Sequence, residues 1–147
     1  PRRRLQTLAT LADAGVPVSV LVAPLIPMLN DHELEDILQQ ARMAGAVDAD
    51  YVLLRLPHEL KTLFEEWLIG HEPLKAQHVL NRIYEARGGK AYDATFGTRM
   101  RGTGQYADLL AQRFRLALRK FGFVGLPPLE CDLFTTSGLN GQMDLFT

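Results

Sequence analysis

The stretch that most constrains this chain is Val16-Pro17-Val18-Ser19-Val20-Leu21-Val22-Ala23. It is almost continuously apolar and rich in β-branched residues. A strand with one wet face alternates, whereas a continuous apolar run is the pattern of a parallel strand covered on both faces. Its flanks are helical. Over residues 2–14, Leu5, Leu8, Ala9 and Ala12 recur at helical spacing, and Gly15 fits the position just past a helix end. After the loop Pro24 to Leu29, Asn30 is placed to cap a helix, with Glu33 at the third helical position as in a capping box. Leu34, Ile37, Leu38 and Ala41 carry that helix inward to about Ala44, and Gly45 stops it. Tyr51-Val52-Leu53-Leu54-Arg55-Leu56 is a second short strand ended by Pro57.

Helix, strand, helix, strand is the rhythm of a parallel α/β fold. Two strands do not complete such a sheet, because both would keep apolar faces and unpaired edges. The expectation is therefore that neighbouring strands lie upstream of Pro1 and that the chain is a fragment. The rest reads as helical. Residues 58–70 set Leu60, Leu63, Phe64, Trp67 and Leu68 on one side; residues 73–87 bury Ala76, Val79, Leu80 and Ile83 and end at Gly88-Gly89. A loop rich in Gly, Arg and aromatic residues reaches Gly104, a helix spans 105–121, and the chain from Gly122 reads as a tail. The organisation expected is a strand-bearing part over 1–57, a helical extension over 58–122 and a flexible tail over 123–147.

With 47% hydrophobic and 22% charged residues the composition is that of a globular domain. No apolar run approaches the roughly 20 residues needed to span a bilayer, so no membrane partner is expected. The single cysteine, Cys131, excludes an internal disulfide and a cysteine-ligated zinc or iron–sulfur site built from this chain alone. A cytoplasmic setting is the default. The net charge of −1 is unevenly spread. Residues 87–122 hold Arg87, Lys90, Arg99, Arg101, Arg113, Arg115, Arg119 and Lys120 against Asp93 and Asp108, a local balance of +6 that leaves −7 for the rest. Such a segment suits an anionic partner, DNA included; it also suits a solvated helix face.

Three motifs carry chemistry. The first, Val22 to Asp31, lies at the carboxyl end of the first strand, where parallel α/β folds bind ligands. It is equally a rigid turn with a good cap. The second runs through Arg87-Gly88-Gly89-Lys90-Ala91-Tyr92-Asp93, Phe96-Gly97-Thr98-Arg99-Met100-Arg101-Gly102-Thr103-Gly104-Gln105-Tyr106-Ala107 and Gln112-Arg113-Phe114. Arg99 and Arg101 beside glycines suit bidentate binding of phosphate, or pairing within the protein. Gly102-Thr103-Gly104 follows no strand, so it is not a dinucleotide fingerprint. The histidines show no zinc-protease spacing, and nothing gathers a Ser-His-Asp set. The third motif is Gln142-Met143-Asp144-Leu145-Phe146.

Taken together, residues 5–121 resemble the carboxy-terminal half of radical S-adenosylmethionine (radical SAM) enzymes of the spore-photoproduct-lyase-like, DNA-repair-photolyase-like group. Pro24-x-Ile26-x-Met28-x-x-Asp31 resembles the fifth-strand turn that lines the adenosyl pocket there, with Met28 where the family has Gly. Tyr51 to Pro57 resembles the sixth and last strand. Leu63-Phe64-Glu65-Glu66-Trp67 and Leu80-Asn81-Arg82-Ile83 belong to the same pattern. The resemblance implies the last two strands of a (β/α)6 partial TIM barrel with a helical extension. It also implies a [4Fe–4S] cluster whose Cys-x3-Cys-x2-Cys ligands lie upstream, and generation of a 5′-deoxyadenosyl radical from S-adenosylmethionine, with DNA repair as the setting. Pro24, Ile26, Asn30 and Asp31 would shape the adenosyl pocket and Arg55 would lie at its edge; the fragment by itself would be inactive. The tail pentapeptide resembles the motif by which bacterial replication and repair proteins dock on the sliding clamp, with Gln142, Leu145 and Phe146 as anchors; the same apolar pair could instead fold back on the protein. The alternative to an enzyme is a nucleic-acid-binding module tethered to the clamp.

Overall fold

The computed structural model describes residues 2–90, 92 and 94–130. Five α-helices and a two-stranded parallel sheet follow in the order α1 (Arg2–Asp13), β1 (Ser19–Leu25), a single 3-10 turn (Asp31–Glu33), α2 (Leu34–Met43), β2 (Asp48–Leu53), α3 (Leu60–His71), α4 (Ala76–Glu85) and α5 (Gln105–Phe121). The fold is thus mixed α/β.

Both strands sit differently from their apolar runs. β1 begins at Ser19 rather than Val16, and β2 covers Asp48–Leu53 rather than 51–56. Parallel pairing decides this: Val47 N–H donates to Val18 O at 2.9 Å, and the register then runs Ser19 to Asp48, Val20 to Ala49 and Val22 to Tyr51. Asp48 and Asp50 occupy the outward positions of an alternating strand whose Ala49, Tyr51 and Leu53 are buried. β1 alternates too. Val22 and Leu25 are buried while Leu21 is 60% exposed, so the second face expected to be covered is open among the described residues.

The two edges of the sheet also differ. Along β2 the edge is closed by the loop before α5: Leu53 N–H donates to Met100 O at 2.9 Å, and the Arg87 guanidinium donates to the Leu53 and Leu54 carbonyls at 3.1 Å each. Among the described residues β1 pairs with β2 alone.

The principal core lies on the covered face, where Val22, Leu25, Ala49, Tyr51 and Leu53 meet Leu34 and Leu38 of α2 and Ala107, Leu110, Phe114 and Ala117 of α5. Tyr51 and Phe114 meet edge to face at 4.8 Å. α5 therefore shares the core of the strands rather than that of α3 and α4. A second cluster joins Leu56, Leu68, Ala76, Val79 and Ile83, with Ile26 and Leu29 of the βα turn packed against it. α1 carries no buried residue, and its closest fit is at Gly45, where an added Cβ would stand 2.5 Å from Ala12 Cβ. The beginning of the expected tail is fixed. Phe123 packs on the principal core, and Val124 and Gly125 N–H groups both donate to Val47 O. No described helix is long and apolar enough to cross a membrane.

Candidate functional site

The carboxyl ends of β1 and β2 lie side by side, tied by Leu54 N–H to Leu25 O at 2.8 Å. From β1 the chain enters the turn 24–31, whose Ala23–Pro24 peptide bond is cis. Asn30 does not cap the following helix. Its Oδ1 accepts the Ile26 N–H at 2.6 Å, and its Nδ2 donates to Pro24 O at 3.0 Å. Its side chain is turned into its own loop and makes no bond to the helix, so the expected capping box is replaced by the 3-10 turn and α2 starts at Leu34. Met28 takes φ 62°, in the left-handed region. Pro24 is exposed, whereas Ile26 is half-buried against the second cluster.

Asp31 is drawn into α5. Its Oδ2 accepts the Tyr106 hydroxyl at 2.8 Å, and Arg113 donates to its backbone oxygen at 2.9 Å. Burial, reinforced by that carboxylate, pushes the Tyr106 hydroxyl far above its ordinary value. Arg113 also grips Glu35 with a two-pronged pair at 2.8 and 2.7 Å. The Arg113 hydrogen bond holds the Glu35 carboxyl below its ordinary 4.5, against a smaller opposing effect of burial.

At the end of β2, Arg55 is half-buried. Its Nη2 donates to the Tyr92 hydroxyl at 2.9 Å, its Nη1 meets Met100 Sδ at 3.6 Å, and its Cζ lies 5.3 Å from the Tyr92 ring centre. His58, with φ 48°, stands on the same ring at 6.5 Å. Arg55 Nε is buried with no hydrogen-bond partner.

The basic loop is partly neutralised from within. Arg101 pairs with Asp50 and lies over the Tyr51 ring at 3.9 Å. Arg87 is 4% exposed and donates to four carbonyls, those of Leu53, Leu54, Thr98 and Arg99. Arg99 rests over Phe96 at 5.3 Å. Gln142, Leu145, Phe146 and Cys131 lie outside the described residues, and no group of three metal-ligating side chains occurs among the described ones.

Of the residues singled out by sequence, Pro24, Ile26, Asn30 and Asp31 lie in or just after the carboxyl end of β1 and Arg55 just after that of β2, ends joined by the Leu54–Leu25 bond. Asn30 and Asp31 spend their polar atoms on the turn and on α5. Sequence reasoning missed Tyr92, Tyr106 and Arg113 as partners, since their contacts span 37 to 82 positions and no local pattern marks them. Comparison with known proteins finds no matching family, no matching curated protein and no matching solved structure.

Proposed function

We propose that this chain is the carboxy-terminal part of a radical SAM enzyme of the photoproduct-lyase-like group, its β1 and β2 being the last two strands of a (β/α)6 partial barrel. The observation that carries the reading is the asymmetry of the sheet. Among the described residues, β2 is closed by the 98–103 loop, as a terminal strand would be, while β1 keeps an open edge and an open apolar face marked by Leu21. Helices α2 and α5 cover the opposite face. An edge left for further strands, one apolar face turned inward and the other under helices is what a barrel wall requires.

The turn gives a second support. Met28 stands where the resemblance places a glycine, and its backbone adopts the left-handed conformation that glycine takes at no steric cost. The residues present fit an adenosyl group as an apolar wall: Pro24, Ile26 and Met28 supply it, and Asn30 fixes its shape through Ile26 and Pro24. S-adenosylmethionine and the [4Fe–4S] cluster would supply the radical chemistry; this chain's residues bind, orient and shield. For the alternative, a clamp-tethered nucleic-acid module, Arg101 is engaged with Asp50 and the Tyr51 ring, while Arg99 rests on Phe96.

The test uses the longest natural chain containing these residues, purified without oxygen. The reading expects a Cys-x3-Cys-x2-Cys motif, matching iron and sulfide, and 5′-deoxyadenosine released from S-adenosylmethionine under reductant. A natural chain without the three cysteines, or one releasing no 5′-deoxyadenosine, overturns it.

A further inference from the structure

Among the described residues, Arg55 is a cation whose surroundings folding leaves unexplained. It is half-buried, and no carboxylate lies within ion-pair distance of it among the described residues. Its partners are a phenol, a thioether and an aromatic face, all neutral, and its Nε has no acceptor. A guanidinium taken partly out of water normally gains an anion or several oxygens in return. Arg87, in the connection from α4 to α5, shows this: its terminal nitrogens donate to four carbonyls. Arg55 has no such set. A guanidinium carries five N–H donors in a planar fork, so after the contacts to Tyr92 and Met100 one N–H on each terminal nitrogen remains to donate. Tyr92, having accepted from Arg55, keeps its own O–H to donate, and the His58 ring lies 6.5 Å from the Tyr92 ring. All of this lies at the carboxyl end of β2, one residue from the Leu54–Leu25 link to the βα turn, where ligands of parallel α/β sheets bind.

We propose that Arg55 and Tyr92, with His58 beside them, form an oxyanion-binding position that takes a carboxylate or phosphate group of the substrate. The geometry stands without the enzymatic reading; it deepens that reading by naming a recognised group, and rests on it only for which molecule bears the group. The two terminal N–H groups of Arg55 meet two oxygens of the anion, and the Tyr92 hydroxyl donates to one of them.

The experiment needs no cluster, so its failure is distinct from failure of the radical reading. Inorganic phosphate and acetate are titrated separately into the 147-residue chain, and the amide and guanidinium signals of residues 54–58 and 92 are followed by NMR at constant ionic strength. Saturable shifts centred on Arg55 are expected. Arg55→Gln should weaken binding by about tenfold or more and Tyr92→Phe by about threefold, while Arg55→Lys keeps the charge but loses the fork and falls between them. Tighter binding of phosphate assigns a phosphate-bearing substrate, and equal or tighter binding of acetate assigns a carboxylate. Shifts that do not saturate, or that persist unchanged in both Arg55→Gln and Tyr92→Phe, overturn the site. Tyr92→Phe keeps the test decisive should Arg55→Gln fail to fold.

Discussion

Arg87, Arg101 and Arg113 look alike in the sequence, as members of one basic segment, and the structure gives each a different task. Arg87 ties two carbonyls at the end of β2, Leu53 and Leu54, to two of the loop before α5, Thr98 and Arg99. Replacing it by Met removes all four bonds; Thr98 O keeps the N–H groups of Arg101 and Gly102, and the loss at the others costs about 3 kcal/mol. Urea unfolding of Arg87→Met should show that loss, and a loss under about 1 kcal/mol would contradict the tie. Arg113 and Glu35 make a pH-sensitive clasp between α2 and α5. The folded Glu35 pKa lies below its ordinary 4.5. The clasp therefore contributes its full stability above that ordinary value and loses it as pH falls through the lower folded value. Unfolding curves from pH 7 down to pH 3 should show Glu35→Gln closing the gap to the parent protein at the acid end; a constant gap would remove Glu35 from the acid limb. Gly102 is a third case. Its φ is 76°, and a Cβ there would meet Ala86 O at 2.7 Å and Leu53 Cδ2 at 3.0 Å. Gly102→Ala should cost about 2 kcal/mol by both strain and crowding, read as a lower melting temperature.

Among the elements, α5 is the one whose sequence and structure agree end to end, from Gln105 to Phe121 with Gly122 left-handed beyond it. Its pattern is unambiguous because one face is continuous: Ala107, Leu110, Phe114 and Ala117 are buried together. Leu110 and Leu109 differ only in which way they point, since Leu110 is buried and Leu109 exposed. Leu110→Ala should destabilise by about 3 kcal/mol and Leu109→Ala by no more than about 0.5 kcal/mol; similar costs at the two positions would mean that α5 is rotated. α3 shows how a helical pattern can mislead. Its apolar stripe is real, yet only Leu68 is buried, and Leu60, Leu63 and Trp67 stay exposed. Periodicity reports that a helix has an apolar side, and says nothing of whether a neighbour covers it.

For the molecule as a whole, the open edge of β1 and the exposed Leu21 beside it form a surface that favours contact between strands of separate molecules. The 147-residue chain should associate as its concentration rises, and Leu21→Lys should reduce the association without lowering the melting temperature, because Leu21 contributes little to the core. Sedimentation velocity over a wide concentration range checks this: a monomer throughout, or an unchanged association in Leu21→Lys, would set the edge aside.

From the sequence alone came the α/β alternation, the position of α5 and the positive segment after α4. These follow from local rules, since helical periodicity, β-branched runs and glycine stops each act within a few residues. The strand limits did not come from it. Val16 to Val18 look as strand-like as Val20 to Val22, and the apolar run 51–56 hides that the second strand starts at Asp48, until the register against the neighbouring strand selects Ser19–Leu25 and Asp48–Leu53. Nor did the fate of the charges. Arg87 buried in a carbonyl cage, Arg101 on Asp50, Arg113 on Glu35 and Arg55 among neutral groups are the outcomes of long-range packing. A charge is placed by what the fold brings beside it, and that neighbour lies tens of residues away in the chain, beyond the reach of any local pattern.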